Sequence, residues 1–136
     1  MQSNQRYRFG KTEKLKSRKA IEQLFAEGKS FSNFPFRVIW KFTQTADAAL
    51  RAGFTVSSKN FKNAVDRNRI KRLMREAYRL QKNDLQEQLK NNQKKLAVFF
   101  IYVGNELPDY PAVFEKTGSA IKRLIKITNE NTASDT

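Results

Sequence analysis

Neither cysteine nor histidine occurs in the 136 residues, and each absence removes a class of chemistry. Without cysteine, disulfides and thiolate chemistry are excluded. Without histidine the commonest general base and the usual transition-metal ligand are both missing, so catalysis by this polypeptide alone has little to work with. No apolar run approaches the roughly 20 residues of a membrane-spanning helix. The absence of an apolar N-terminal segment argues against secretion, and the expected compartment is the cytoplasm. Negative charge is also scarce: 13 Asp and Glu stand against 27 Lys and Arg, a formal charge of +14. Such an excess opposes compaction by self-repulsion and is most simply balanced by a polyanionic partner. Phosphate is the expected counter-charge, and no membrane association is expected.

The length suits one compact core and is too short for two ordinary domains. Residues 1–16 are polar and basic and read as a flexible arm that orders on binding. Residues 17–128 read as a single α+β domain, and 129–136 as a disordered tail. Ser17 is a good N-cap for a short helix carrying Ala20, Ile21, Leu24 and Phe25 on one face, which Gly28 can close. Residues 36–42 and 52–56 alternate apolar and polar positions and suggest two antiparallel strands joined by a polar loop. A long helical pattern runs from Asn63 towards Lys90. Residues 96–103 (Leu-Ala-Val-Phe-Phe-Ile-Tyr-Val) are apolar at every position and should form a central strand buried on both faces. A last helix begins near Pro111, with Gly118 weakening its middle. The expected order is α-β-β-α-β-α, a small mixed sheet packed with helices, in which the helix before the last strand allows a parallel crossover.

The most informative stretch begins at Asn63, which can cap a helix while Asp66 answers in a capping box and meets the positive dipole end. At 100° per residue Ile70, Leu73, Met74, Ala77 and Leu80 share one side. Asn68, Lys71, Arg72, Arg75 and Arg79 lie roughly opposite, with Arg67 and Arg69 flanking. A solubilising face mixes signs, yet Glu76 is the sole anion between Arg67 and Lys82. Arginine predominates, and its planar fork suits phosphate oxygens and base edges.

The segment Asn63-Ala-Val-x-Arg-Asn-Arg-Ile-Lys-Arg-Leu-x-Arg-Glu closely resembles the RNR signature of the protein subunit of bacterial ribonuclease P. Arg51-Ala-Gly-Phe-Thr-Val-Ser-Ser-Lys59 is similar to the family strand before that motif. Residues 15–28, with the pattern Leu-x-x-x-x-x-Ile-x-x-Leu-Phe-x-x-Gly, are similar to its first helix. The resemblance spans roughly residues 15–127. It implies a fold like the second domain of ribosomal protein S5, with an unusual left-handed crossover. It also implies an accessory subunit of an endoribonuclease, in which a catalytic RNA removes the 5′ leader of precursor tRNA with Mg2+ held mainly by that RNA. The implied partners are this RNA and precursor tRNA, with no obligate protein partner. By the same resemblance Arg67, Asn68, Arg69, Lys71, Arg72 and Arg75 contact the catalytic RNA. The leader would lie in a cleft between the first helix and the sheet, beside Ile21, Phe25, Arg37, Ile39, Lys41 and Lys59. Phe25 matches a cleft aromatic of the family, whereas Ile21 and Ile39 stand where other members can present aromatics. Ser58 and Asn60-Phe61-Lys62 depart from the commoner pattern of the loop.

Read from the residues alone, alternatives stay open. The aromatics Phe36, Trp40, Phe42, Phe54, Phe99 and Phe100 could stack on bases, though core packing accounts for them more simply. Phe25 could face either the sheet or a cleft. The carboxylates Asp66, Asp84, Asp109 and Glu115 form no dense cluster, which disfavours a protein-only Mg2+ site. A structural RNA-binding protein of ribosomal type shares the size and charge, and a DNA-binding protein would need a helix-turn-helix partner or dimer seam that the sequence does not display.

Overall fold

The apolar run near the C-terminal end becomes the strand on which the rest is laid. In the structure, a computed structural model that describes residues 9–44 and 48–134, the last four through their backbone alone, this strand is β4 (Lys95–Tyr102). On one side it pairs antiparallel with β2 (Phe36–Thr43), on the other parallel with β3 (Leu50–Val56), and β1 (Lys29–Asn33) adds to β2, giving the sheet order β1-β2-β4-β3. The helices are α1 (Arg18–Glu27), α2 (Ala64–Gln81), α3 (Asn83–Asn91) and α4 (Tyr110–Ser134). The α+β class, the central place of the apolar strand and the parallel crossover agree with expectation.

Four details differ. First, the order is α-β-β-β-α-α-β-α, because β1 was hidden by its polarity: of Lys-Ser-Phe-Ser-Asn only Phe31 is buried, enough for an edge strand. Second, the two alternating segments do not pair with one another, since β4 lies between β2 and β3. The strand with most apolar surface takes the position covered on both sides. Third, the long helical pattern divides at Lys82, whose side chain is 1% exposed and turns inward to the Glu13 carboxylate. Fourth, α4 continues to Ser134, over most of the expected tail.

The arm is also only partly as expected. Residues 1–8 lie outside the described residues, but 9–16 are packed. Phe9 meets the edges of Phe54 and Tyr78 at ring distances of 6.0 and 5.4 Å. Leu15 is buried and its N–H donates to the Ala52 carbonyl at 2.9 Å, so the arm covers the outer edge of β3. A capped edge is protected from pairing with other chains.

One sheet face carries Val38, Ala52, Val98 and Phe100 against Ile70, Met74, Tyr78 and Leu124 of the helices, forming the main core. The opposite face carries Ile39, Ala97 and Phe99 under α1, with Leu15 and Leu24. Ser17 caps α1 through its side chain, accepting from the Ala20 N–H at 3.3 Å. Gly28 ends the helix with an extended backbone, not a left-handed one. Glycine is needed there for space, because a Cβ would stand 2.5 Å from the Leu24 carbonyl and 3.0 Å from Ile39.

The Glu13–Lys82 pair joins the arm to the bend between α2 and α3. Removing one partner of a buried pair costs about 3–5 kcal/mol, reduced here because the Glu13 side chain is 21% exposed. Lys82→Ala is expected to lower the unfolding free energy by about 2–3 kcal/mol in urea denaturation, and a loss under about 0.5 kcal/mol, the size of an ordinary surface change, would show that the pair does not hold the arm.

Candidate nucleic-acid interface

Helix α2 begins at Asn63, whose side chain accepts from the Val65 N–H at 2.9 Å. Asp66 makes no return hydrogen bond among the described residues, but it sits in the first turn, where its charge meets the dipole. The apolar stripe is buried at Ile70, Met74 and Ala77, together with Tyr78, which the helical pattern had not singled out. Burial pushes the Tyr78 hydroxyl well above the ordinary tyrosine range, with the nearby Glu13 charge adding to the effect.

The outward face does not act as a uniform row. Asn68, Arg69, Arg72 and Arg75 are exposed, and Lys71 is half-buried. Arg67 is turned back, its Nη1 donating to the Phe61 carbonyl at 2.7 Å. It thereby holds the turn after β3, which Asn60 also secures by donating to the Val103 and Gly104 carbonyls. Arg79 forms a two-pronged pair with Glu76, at 3.1 and 2.6 Å. That bond holds the Glu76 carboxyl below its ordinary range and raises Arg79. Among the described residues, the exposed α2 cations without a carboxylate on them are therefore Arg69, Arg72 and Arg75, ahead of the Glu76–Arg79 pair.

The second feature is a cavity of about 450 Å³ between α1, the sheet and α2, lined by Phe9, Lys14, Ile21, Gly53, Arg75 and Phe99. Its lining includes Lys16 as a third cation and no carboxylate. Register explains the arrangement. Arg37, Ile101 and Thr55 form one row across β2, β4 and β3; Ile39, Phe99 and Gly53 form the next; Lys41, Ala97 and Arg51 the third. Helix α1 lies over the middle of this face, with Ile21 and Phe25 on one flank. Phe25 is 48% exposed and meets Phe99 edge-on at 5.4 Å. At Gly53 a Cβ would stand 2.4 Å from the Phe99 ring, so any side chain there would drive that ring into the cavity.

The residues expected in the cleft are thus only partly brought together. Ile21 lines the cavity, Phe25 stands beside it, and Arg37 is exposed on the same sheet face. Ile39 is 8% exposed and packed in the smaller core, so it offers no stacking surface. Lys41 lies on the other flank of α1, donating to Glu27 at 2.5 Å, a bond that holds the Glu27 carboxyl below its ordinary range. Lys59 is exposed on the turn after β3. Arg75, expected with the outward cations, opens into the cavity as well. Sequence reading weighed Phe99 as a stacking aromatic but favoured the core for it, and it missed Gly53, Lys14 and Lys16 as walls of the cavity. The facing of Phe99 was detectable in principle, since every second residue of an all-apolar central strand must face the α1 side, a pattern that does not extend to Gly53 on β3, Lys14 or Lys16. The latter two were assigned to the arm.

Among the described residues no three carboxylates come together as a metal site. Among them, too, no helix is long and apolar enough to cross a membrane.

Similarity to known proteins agrees with this geometry. The family model for ribonuclease P matches residues 9–125. The ribonuclease P protein component of Porphyromonas gingivalis is 40% identical over 125 residues, covering 91% of each chain. That of Clostridioides difficile is 34% identical over 121 residues, covering 89% of this chain and 96% of its own. The solved ribonuclease P protein of Thermotoga maritima superposes with a TM-score of 0.59 at 28% identity, covering 82% of this chain and 96% of that one. The Staphylococcus aureus protein, at 24% identity and a TM-score of 0.55, shares the fold over 86% of this chain and 95% of that one. With the match running from the docked arm through the basic helix and into α4, the chain belongs to the bacterial ribonuclease P protein family.

Proposed function

We propose that this chain is the protein subunit of a ribonuclease P endoribonuclease, assisting a catalytic RNA in removing the 5′ leader of precursor tRNA in the cytoplasm. The observation that carries the reading is the family match across residues 9–125, which includes every cation of the α2 face. Asn68, Arg69 and Arg72, with Lys71 beside them, form the surface for the catalytic RNA. Arg67 acts there as a positioning residue, fixing the turn that carries Lys59. The cavity beside Ile21, Phe25 and Phe99 takes the single-stranded leader, with Arg75, Lys14 and Lys16 meeting its phosphates. Apolar and aromatic surface beside cations is how single strands are held without base-specific contacts.

The contribution of the protein is electrostatic and positional. Mg2+ held mainly by the RNA supplies the activated water and leaving-group stabilisation that phosphodiester hydrolysis needs. The chain's own residues neutralise phosphates and fix the leader. Cations placed along two RNA segments displace counterions that would otherwise be held there, so the protein lowers the magnesium concentration the RNA requires.

Three outcomes are expected. Adding the protein to a cognate ribonuclease P RNA at low magnesium restores leader removal, measured by gel separation of the cleaved tRNA. No restoration across several salt conditions would overturn the reading, as would recovery of the protein in stoichiometric amounts from washed ribosomal subunits without processing activity. Phe25→Ala weakens binding of precursor tRNA by about 1–3 kcal/mol, the worth of one stacked base, and leaves binding of leaderless tRNA unchanged. Arg69→Ala and Arg72→Ala each lower the slope of log K against log salt for the catalytic RNA by about one, and an unchanged slope would remove α2 from that interface.

A further inference from the structure

Across α1 from the leader cavity lies a second one, of about 360 Å³, walled by Gln23, Leu24, Lys41, Thr43, Arg51 and Ala97. Its position follows from the third row of the sheet face, where Lys41 and Arg51 stand on either side of Ala97. Neighbouring strands are about 4.8 Å apart, which sets the Cα atoms of Lys41 and Arg51 about 10 Å from one another across a side chain of one carbon. Small size at Ala97 leaves the space, and two positive groups face across it.

The polar walls are incompletely satisfied. Arg51 Nε and Thr43 Oγ1 are buried and have no hydrogen-bond partner among the described residues, and both belong to this cavity. A buried donor without an acceptor is costly, and an incoming acceptor recovers that cost. Among the described residues Arg51 has no carboxylate on it, whereas Lys41 is engaged by Glu27 at 2.5 Å. An arriving anion therefore competes with Glu27 for Lys41 and meets Arg51 without a rival. The volume exceeds the needs of a simple ion and falls in the range of about 300–1,000 Å³ typical of small-ligand sites. Leu15 and Leu24 supply apolar wall, and the amides of Gln23 and Gln44 can each donate and accept towards a base edge.

We propose that this cavity is a second single-nucleotide subsite for RNA, in which Arg51 with Lys41 takes the phosphate and Gln23 and Gln44 meet the base. It rests on the reading of the neighbouring cavity as an RNA site. Helix α1 then separates two single-strand subsites, one on each flank, and the strand passes over the helix between them.

The test is a titration of the full-length ¹⁵N-labelled chain with oligouridylate, and separately with inorganic phosphate, followed by NMR. Oligouridylate is expected to shift the Arg51 Nε–H and the Thr43 and Gln44 amides saturably, along with Ile21 and Phe99 in the leader cavity. Arg51→Gln weakens the first set about tenfold, the worth of a charged hydrogen bond, and leaves the second set in place. Gln23→Ala, an exposed change that does not threaten the fold, weakens the first set about threefold. Shifts at Ile21 and Phe99 alone overturn the subsite and leave the leader cavity standing. Equal shifts and affinity with inorganic phosphate mean an adventitious ion only, which also overturns it. Silence at both sites overturns the RNA reading of the leader cavity together with this proposal.

Discussion

A strand that is apolar at every position must be covered on both faces, and that requirement organises this protein. β4 pairs with β2 on one side and β3 on the other, so neither of its edges is free. The main core covers one face with α2, α3 and α4, and the other is left to α1 and the docked arm. Because β3 runs parallel to β4, the chain between them needs a long crossover, and α2 with α3 is that crossover. The basic helix is thus bound to the sheet edge by topology, with its apolar stripe facing the core. α1, only ten residues long, cannot cover the whole of its face. The uncovered rows on its flanks become the cavities.

The same requirement explains how much could be read from the sequence. The apolar run, the alternation in β2 and β3, the cap at Ser17 and the amphipathic stripe of α2 are local patterns, and each is realised except at Leu80, which the stripe included and the structure leaves 37% exposed. What escaped notice depends on tertiary placement. β1 has a single buried residue, Phe31, and no local pattern distinguishes Lys-Ser-Phe-Ser-Asn from a loop. The bend at Lys82 arises from an acid 69 residues earlier in the chain, Glu13, which periodicity cannot reveal. The alternating segments invited a hairpin because adjacency in sequence usually means adjacency in the sheet. β4 displaced that pairing by burying more apolar surface at the centre.

The candidate site shows the same division. The α2 motif places its cations on one helix, Arg69, Arg72 and Arg75 exposed and Arg67 and Lys71 half-buried, but residue type does not tell what a guanidinium does. Arg67 and Arg79 have the same side chain as Arg69 and Arg72, yet the first is turned onto a backbone carbonyl and the second onto Glu76. Ile39 and Lys41, two residues apart on one strand face, also part company. α1 passes over the first and leaves the second on its far flank. Strand parity gives the face of a residue, and only the position of the covering helix gives its accessibility.

The few carboxylates follow a distribution that bears on how RNA and fold are coupled. Glu13, Glu22, Glu27 and Glu76 each sit against a cation, respectively Lys82, Arg18, Lys41 and Arg79. Lys82 is part of the packing that seats the arm, and Arg79 lies at the C-terminal end of α2. By contrast, Arg69, Arg72, Arg75, Lys14 and Lys16, on the proposed interface, have no such partner among the described residues. Their mutual repulsion is a cost of folding that phosphate removes. An anion that binds only the folded arrangement stabilises it by mass action, RT ln(1 + [L]/Kd), and it does so most where cations converge on one cavity. The arm and α1 wall that cavity, and they rest on the smaller of the two cores. On the proposed reading of that cavity, they are therefore the parts of the fold that gain most from RNA.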